Sequence, residues 1–300
     1  MSRSFLSLSS LSREEFNALI DRAIAGKKDP AAWGQPLAGK AIALFFEKPS
    51  TRTRLSFDVA VTELGGHPIV LTQNDLQLSR GEDIADTARV MARYVKGIMA
   101  RVKSHDTLET LASYAGIPVI NGLSDKYHPC QAMADFMTLR ENGVAPGAKF
   151  TFLGDGGSNV AHDLILGAAH YGCEIHIATP ATMLPDSEIL TIAARLGGQV
   201  RVTQDIEAAA DRADVLYTDV WVSMGQEEEA KKKKKVLMPF QLNAAVRALA
   251  KKAALVLHCL PAHKGEEITA DVFEAAADKI FDQAENRLHA QKAILEFLLK

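Results

Sequence analysis

Ser50, Thr51, Arg52 and Thr53 follow the first predicted strand and stand at the expected start of a helix. Hydroxyl groups, the free backbone N–H groups of a first helical turn and a guanidinium group all bind oxyanions. A plain helix cap is the alternative, but one Ser or Thr would be enough for a cap. Arginines in a first turn oppose the helix dipole unless an anion is bound there. The segment therefore predicts an anion site, most naturally for phosphate.

Two further loops carry polar side chains at the points where apolar strands end. Arg101 lies at the end of the predicted strand Ile98–Val102, and His128 and Gln131 flank Pro129 at the opening of a helix. Proline suits the first turn of a helix, so its polar neighbours can be directed out of the helix mouth. A lone histidine in such a place is more often structural, but together with Gln131 it indicates a polar ligand site.

The glycine-rich turn after the predicted strand Lys149–Leu153 matches half of a dinucleotide-binding fingerprint. Its sequence is Gly154-Asp155-Gly156-Gly157-Ser158-Asn159, in which Asn159 replaces the third glycine. The next strand lacks the terminal acid that would hold a ribose. Residues 34–41 resemble a phosphate-binding P-loop, but they lack its Ser or Thr and precede a strand where a P-loop would follow one. A nicotinamide-dependent oxidoreductase therefore stays only as a rival hypothesis.

Asp219 and Cys259 each follow a predicted strand in the second half of the chain. A carboxylate at Asp219 could hold a substrate ammonium group. Cys259 could be a nucleophile, a proton acceptor or a plain core residue, and the sequence alone favours the core residue. The sequence contains no GxSxG or HExxH motif and no zinc-type Cys/His spacing, so it predicts neither a metal site nor a cofactor.

The elements that must position these side chains are short apolar strands that alternate with amphipathic helices. Strands separated by helices of this length predict βαβ units, parallel sheets and right-handed crossovers. The fold class is therefore α/β, with two doubly wound parallel-sheet domains. The ten predicted strands are Ala41–Phe46, Ile69–Leu71, Ile98–Val102, Val119–Asn121, Lys149–Leu153, Glu174–Ala178, Gln199–Thr203, Val215–Thr218, Leu255–Cys259 and Lys279–Asp282. The predicted helices between them include Arg54–Leu64, Thr107–Tyr114, Cys130–Asn142 and Asn159–Tyr171.

A turn-rich segment, residues 141–147, is the predicted domain boundary. It separates a first domain of residues 1–143 from a second domain of residues 144–283. The remaining residues, 284–300, predict an amphipathic helix with Leu288, Ile294, Leu295 and Leu298 on its apolar side. The periodicity of this helix does not assign it to either domain.

Composition and charge narrow the class of protein. The formal net charge is −3, which argues against a general nucleic-acid or membrane-surface binder. Three widely spaced cysteines predict a reduced, cytoplasmic location and no disulfide framework. A capping box at Ser12–Glu15 predicts that the chain starts with the first helix of the mature protein and not with a targeting peptide. The charge run Glu227–Lys235 is interpreted as a solvated loop or helix end.

Taken together, the segments resemble the aspartate/ornithine carbamoyltransferase family, on its ornithine branch. The resemblance covers essentially the whole chain, from Phe5 to the terminal helix. Six motifs in order carry it: Ser50-Thr51-Arg52-Thr53-Arg54, Gln77-Leu78-Ser79-Arg80-Gly81-Glu82, His128-Pro129-Cys130-Gln131, Asp219-Val220-Trp221-Val222-Ser223-Met224-Gly225, His258-Cys259-Leu260-Pro261 and Glu285-Asn286-Arg287.

The resemblance implies the roles of individual residues. The positions expected to bind carbamoyl phosphate are Ser50, Thr51, Arg52, Thr53, Gln77, Arg101, His128, Gln131, Cys259, Leu260 and Arg287. The positions expected to bind ornithine are Asn159, Asp219, Ser223 and Met224. The residues expected to carry the reaction are Arg52, Arg101, His128 and Cys259. Gln77 is expected to reach a neighbouring subunit's site, which implies a homotrimer, or a multiple of trimers, with shared active sites.

The resemblance also implies the reaction: transfer of the carbamoyl group of carbamoyl phosphate to the δ-amine of L-ornithine, giving L-citrulline and phosphate. It implies a role in arginine metabolism, with biosynthesis as the expected direction, and no nucleic-acid or membrane partner. It further implies two domains that close over the substrates, with the last helix returning to the first domain. The nearest alternative is a carbamoyltransferase that uses another amine, putrescine or acetylornithine. A non-catalytic relative would be expected to lack part of the phosphate-binding set, which is complete here.

Two departures from the family pattern stand out. Cys130 occupies a position inside the His-Pro-x-Gln element that commonly holds Thr, while the outer residues His128 and Gln131 are kept. The charge run lies on a loop that is expected to move when ornithine binds. The affinity for the amine substrate is therefore less firmly implied than the type of reaction.

Overall fold

The computed structural model describes residues 2–75, 81–222 and 227–300. The chain forms two compact units, Met1–Met137 with Asn286–Lys300, and Thr138–Glu285. Gln77, Ser223 and Met224, three of the predicted binding residues, lie outside the described residues. Within those described ranges, no helix combines the length and apolar character that a membrane span needs.

The first unit is built on a four-stranded parallel sheet in the order β2-β1-β3-β4. Its strands are β1 Ala41–Phe46, β2 His67–Thr72, β3 Gly97–Arg101 and β4 Val119–Leu123. Its helices are α1 Arg13–Lys28, α2 Thr51–Glu63, α3 Ile84–Tyr94, α4 His105–Ala115 and the start of α5 Pro129–Glu141. From β1 the chain continues to β2 at one edge of the sheet, and from β3 it continues to β4 at the other edge. The topological switch point, where the strand order changes direction, therefore lies between β1 and β3. Ligands of such sheets bind beyond the carboxyl ends of the strands at this point.

The second unit repeats the arrangement with a five-stranded parallel sheet in the order β7-β6-β5-β8-β9. Its strands are β5 Lys149–Leu153, β6 Glu174–Ala178, β7 Gln199–Thr203, β8 Val215–Thr218 and β9 Leu255–His258. Its helices are α6 Asn159–Tyr171, α7 Ser187–Arg195, α8 Ile206–Ala210, α9 Glu227–Leu237, α10 Ala244–Leu249 and the first part of α11 Ala270–Leu299. The switch point here lies between β5 and β8.

Each sheet is covered by helices whose apolar sides it buries. In the first unit, Phe45 and Ile98 of the sheet pack with Met91 of α3 and Leu111 of α4. In the second unit, Leu216 packs in one cluster with side chains from α8, α10 and α11. Helix α6 is buried along almost its whole length, as a helix that is apolar on most sides must be. These two cores hold the carboxyl ends of the strands in fixed positions.

The two-domain parallel α/β fold predicted from the sequence is confirmed. Five strands, β1 and β5 to β8, have the predicted bounds, and the other four shift by one or two residues at their ends. The tenth predicted strand, Lys279–Asp282, is wrong because these residues lie inside α11. Their apolar run is only Ile280-Phe281, too short to distinguish a strand from a helix. The last helix therefore begins at Ala270 and not at residue 284, and its part from Asn286 onward belongs to the first unit.

Candidate active site

Helix α2 begins at the carboxyl end of β1, where its first turn collects the predicted anion-binding residues. Ser50 is the N-cap, and its hydroxyl accepts a hydrogen bond from the Thr53 backbone N–H at 3.3 Å. Thr51 and Arg52 are exposed, whereas Thr53 is only 1% exposed. The Ser50 cap leaves other first-turn N–H groups available, and no acidic residue stands in this turn. The turn therefore presents hydroxyl groups and a cation together with the positive end of the helix dipole.

A buried hydrogen-bond network fixes the second group of predicted residues. Arg287 donates to Gln131 Oε1 at 2.7 Å and to Thr53 Oγ1 at 3.1 Å, so it ties α11, α5 and α2 together within the first unit. Gln131 in turn donates from Nε2 to the carboxylate of Asp135 at 2.8 Å. Because Asp135 takes the amide N–H₂ group, the carbonyl oxygen of Gln131 must face Arg287. This fixes the orientation of both side chains.

Positive charge accumulates in this region. The Arg101 guanidinium is largely desolvated, and burial, followed by the charges of Arg287 and Arg52, lowers its pKa to about 10. Its Nε atom is buried and has no hydrogen-bond acceptor in the described part of the chain. Burial and the same three arginines lower the pKa of His128 well below its ordinary value, so this imidazole is neutral. The cluster is therefore a set of cations around a neutral histidine.

Nothing in the described ranges neutralises two of these cations. Neither Arg52 nor Arg101 forms an ion pair with a carboxylate among residues 2–75, 81–222 and 227–300. Like charges held together without a counter-charge favour the binding of an anion, and arginine suits phosphate and carboxylate oxygens in particular. A neutral imidazole and hydroxyl groups beside them can donate to a polarised oxygen. The first unit thus gathers groups whose chemistry suits an anion.

In the second unit, the loops after β8 and β9 bring Asp219 and Cys259 together. The Cys259 thiol donates to Asp219 Oδ1 at 2.8 Å, and the Val220 backbone N–H donates to the same oxygen at 2.7 Å. Asp219 is half-buried, and desolvation raises the pKa of its carboxyl group, while His258 and these hydrogen bonds act in the opposite direction. Cys259 itself is only half-buried, so it is not a plain core residue. The pair offers an acceptor for a substrate ammonium group next to a thiol.

The shape of the Cys259 loop depends on His258. The Leu260 backbone N–H donates to His258 Nδ1 at 2.9 Å, so His258 Nε2 carries the proton and donates to the buried Glu267 at 3.1 Å. Leu260 adopts a φ of 60°, a left-handed conformation that costs a side chain of this kind about 1–3 kcal/mol. The His258 hydrogen bond helps to hold Leu260 in it. The loop is therefore constrained at the residue that follows Cys259.

The glycine-rich turn after β5 is shaped by packing. Gly156 has no room for a side chain, because a Cβ there would lie 2.9 Å from the Met183 carbonyl oxygen. Its N–H donates to Thr179 Oγ1 at 2.9 Å. Asn159 is the first residue of α6, after the N-cap Ser158. Asp155 in the same turn pairs with Lys233 of α9 at 2.6 Å.

The structure thus brings most of the predicted residues together in two groups. The group in the first unit contains Ser50, Thr51, Arg52, Thr53, Arg101, His128, Gln131 and Arg287. In the second unit, Asp219 and Cys259 are in contact, Leu260 follows Cys259, and Asn159 lies at the start of α6. Cys130 is buried and donates to the Asn121 carbonyl oxygen at 3.3 Å.

Sequence reasoning assigned no role to three residues that shape these groups: Asp135, His258 and Glu267. Asp135 lies four residues after Gln131, a spacing that places both on one face of a helix, so the signal was available. The pairing of His258 with Glu267 depends on the return of a loop and has no periodic signal. The charge run was expected to be a solvated loop or helix end; it forms α9, in which Lys233 and Lys234 are half-buried and paired with acids.

The fold and the two groups define a two-domain parallel α/β protein whose first unit gathers cations and hydroxyl groups suited to an anion. Residues 3–141 match the carbamoyl-P binding domain of the aspartate/ornithine carbamoyltransferases, and residues 146–298 match the Asp/Orn binding domain. The chain belongs to the aspartate/ornithine carbamoyltransferase family. It is therefore an enzyme of the carbamoyltransferase class, and the dinucleotide-dependent alternative has no support.

Full-length relatives agree with this assignment. An ornithine carbamoyltransferase from Acidothermus cellulolyticus is 51% identical over 305 residues, which span 100% of this chain and 97% of the relative. One from Thermococcus kodakarensis is 48% identical, across 99% of this chain and 96% of the relative. The crystal structure of an anabolic ornithine carbamoyltransferase from Campylobacter jejuni superposes with a TM-score of 0.94 at 42% identity, covering 99% of this chain and 98% of that chain.

The protonation of His128 reports directly on the anion site. A bound phosphate dianion would offset the positive charge of Arg52, Arg101 and Arg287, so the lowered pKa of His128 should rise when inorganic phosphate binds. Nuclear magnetic resonance of ¹⁵N-labelled histidine side chains measures this, and the His128→Asn variant identifies the resonance. A His128 pKa that saturating phosphate leaves unchanged would contradict the proposed site.

Proposed function

We propose that the protein transfers the carbamoyl group of carbamoyl phosphate to the δ-amine of L-ornithine, producing L-citrulline and phosphate in arginine biosynthesis. The observation that carries this proposal is the anion site without a counter-charge, in which Arg52 and Arg101 face no carboxylate in the described ranges. Family membership and full-length relatives that are ornithine carbamoyltransferases support the choice of substrates.

The first unit is proposed to bind carbamoyl phosphate. The first turn of α2, from the cap Ser50 through Thr51 to Thr53, would bind the phosphate through hydroxyl and N–H groups, and Arg52 and Arg101 would neutralise its charge. His128 is neutral, so it can donate a hydrogen bond to the carbonyl oxygen. Arg287 and Gln131, already fixed by their mutual hydrogen bond, would complete the contacts. Leu260 and Gln77 are proposed further contacts.

The second unit is proposed to bind ornithine. Asp219 would accept the α-ammonium group, and Asn159, Ser223 and Met224 would hold the rest of the amino-acid end. The δ-amine must lose a proton before it can attack, since an alkylamine is charged at neutral pH. Exclusion of water and the surroundings of Asp219 and Cys259 would favour its neutral form.

The proposed chemistry is direct transfer without a covalent enzyme intermediate. The amine nitrogen attacks the carbamoyl carbon, and the negative charge that develops on the carbonyl oxygen is stabilised by Thr53, Arg101 and His128. The carbon–oxygen bond to phosphate then breaks, and phosphate leaves with the electron pair while the same arginines hold it. The attacking nitrogen loses one proton in this step, and the departing phosphate accepts it. Positioning and charge stabilisation account for the catalysis.

We also propose a homotrimer, or a multiple of trimers, in which Gln77 completes a neighbouring subunit's site. Apolar side chains on the surface of the first unit support an interface there: Leu55 on α2 is 60% exposed and Tyr94 on α3 is 77% exposed. The boundaries of the two functional domains stay predictions. They are residues 1–143 with 284–300 for the carbamoyl phosphate-binding domain and residues 144–283 for the ornithine-binding domain. The sparse cysteine pattern supports a cytoplasmic location.

A product assay tests the proposed reaction. The purified protein is incubated with carbamoyl phosphate and, in parallel, with ornithine, acetylornithine, putrescine or aspartate, while ureido product and released phosphate are measured. We expect citrulline, with ornithine strongly preferred, because Asp219 is proposed to accept the α-ammonium group. Preference for another amine would overturn the acceptor assignment but keep the carbamoyl phosphate site. Absence of ureido product from every acceptor would overturn the proposed function.

Cys259→Ala should lower kcat by about tenfold or more, because it removes the thiol that donates to Asp219 beside the proposed amine. The matched control is Cys173→Ala: burial raises the pKa of the Cys173 thiol to about 12, so that thiol is inert. Steady-state kinetics of both variants, with ornithine varied, makes the comparison. Near-normal kcat and ornithine KM in Cys259→Ala would remove the role assigned to Cys259.

Hybrid assemblies test the shared site. Arg52→Gln and Gln77→Ala should each inactivate a homogeneous assembly, but a mixed trimer contains some sites with both residues intact. Unfolding and refolding the two variants together should therefore restore part of the activity, while each refolded alone should not recover. Sedimentation analysis of the refolded protein gives the number of chains. Absence of recovery in verified mixed trimers would contradict a site completed by Gln77 of a neighbour.

A further inference from the structure

The segment between β9 and α11 gathers three side chains that can bind a metal ion. We call His263, Glu266 and Glu267 the His263 cluster. The Nδ1 atom of His263 lies 3.8 Å from Glu266 Oε2 and 4.0 Å from Glu267 Oε2. One potential ligand atom from each of the three residues lies within 4.8 Å of the other two. The cluster therefore presents one imidazole nitrogen and two carboxylate oxygens to a common point.

The two carboxylate oxygens have a second property that points to a ligand. Glu267 is fully buried; its Oε1 atom accepts hydrogen bonds from His258 Nε2 at 3.1 Å and from the His263 backbone N–H at 2.5 Å. Its Oε2 atom, the one that faces the cluster, is buried and accepts no hydrogen bond from any residue in the ranges 2–75, 81–222 and 227–300. Glu266 Oε2 is likewise buried without a donor among these described residues, while Glu266 Oε1 pairs with Lys234 at 2.5 Å. Buried carboxylate oxygens are rarely left this way unless something binds them.

The charges in the cluster favour a cation. Two carboxylates stand side by side, and Lys234 is the amine that pairs with one of them. Lys264, the nearest lysine in sequence, is paired with Glu274 instead. A divalent ion between the Oε2 atoms would neutralise the remaining charge and supply the missing partner of both oxygens.

The distances suit a small transition-metal ion. Four-coordinate zinc with bonds of about 2.0–2.1 Å holds its ligand atoms about 3.4 Å apart. The separations of 3.8 and 4.0 Å in the cluster exceed this by about half an ångström, which small side-chain rotations can close. An imidazole nitrogen selects zinc and its neighbours in the transition series over magnesium or calcium, which prefer oxygen alone.

We propose that His263, Glu266 and Glu267 bind a divalent transition-metal ion of the zinc type, with water as a further ligand. The sequence expectation of no metal site was based on zinc-type Cys/His spacing, whereas this site uses His-x-x-Glu-Glu. The ion would fix Glu267, whose other oxygen holds His258, and His258 holds the Leu260 backbone N–H. Metal binding would therefore stabilise the loop that carries Cys259. This proposal does not depend on the identity of the amine substrate.

Direct zinc binding tests the proposal. The full-length protein is treated with a chelator and dialysed, and Zn²⁺ is then titrated against a chromophoric competitor chelator. We expect one tight site per chain in the unmodified protein. His263→Gln and Glu266→Gln should each weaken binding at least tenfold, since each removes a ligand. Both positions are partly exposed, so these variants should fold, as thermal unfolding of the metal-free proteins can verify.

Two control variants distinguish this site from other zinc ligands. Cys259→Ser removes the nearby thiol, and His67→Gln removes an exposed histidine on β2; both should keep the tight site. An anomalous diffraction peak between the three side chains at the zinc edge would confirm the location. Loss of the site in Cys259→Ser with retention in His263→Gln would overturn the assignment, as would the absence of saturable zinc binding to the unmodified protein.

Discussion

The first unit depends on one electrostatic constraint: three arginines are held close together, and two of them face no carboxylate in the described ranges. Arg101 and Arg287 are largely buried, and Arg52 stands beside them in the first turn of α2. Their mutual repulsion, added to burial, lowers the pKa of Arg101 to about 10 and keeps His128 neutral. The switch point between β1 and β3 lets the first unit keep them together, because the loops there diverge to opposite edges of the sheet. An anion bound among the three arginines would offset this repulsion.

The second unit has the same kind of parallel-sheet topology, but it gathers a carboxyl group and a thiol instead of cations. Its switch point places the Asp219 loop, after β8, next to the loop that follows β5, and β9 adds Cys259 beside Asp219. Here a half-buried carboxyl group accepts hydrogen bonds from a thiol and a backbone N–H and has no cation as its partner, so it can accept an ammonium group. The loop around Cys259 is held by backbone and side-chain hydrogen bonds to His258, and through His258 by Glu267. Glu267, a buried acid that is not among the proposed substrate-binding residues, thus helps to determine the shape of the loop that carries Cys259.

Much of this could be predicted from the sequence, because local patterns determine the strands and the helix starts. The Ser50 cap, the parallel strands and the loops that follow them all depend on neighbours in sequence. The contacts that the sequence did not predict join residues that are far apart in the chain. Arg287 and Gln131 are separated by 156 positions in the sequence, and Lys233 and Asp155 are also far apart in the chain, so no local pattern predicts these contacts. The strand predicted at Lys279–Asp282 is wrong for a local reason. Its apolar run has only two residues, which is too short to indicate a strand when the residues around it have helical spacing.

We propose that the arginine cluster of the first unit is a preformed site for a phosphate-bearing substrate. Calorimetric titration of carbamoyl phosphate into the ornithine-free protein tests it most directly, with Arg101→Gln as the variant and Arg195→Gln, an exposed arginine on α7, as the control. We expect saturable binding at one site per chain, weakened at least about tenfold in Arg101→Gln and unchanged in Arg195→Gln. Carbamoyl phosphate that fails to bind without ornithine, or that binds Arg101→Gln as tightly as the unmodified protein, would contradict it.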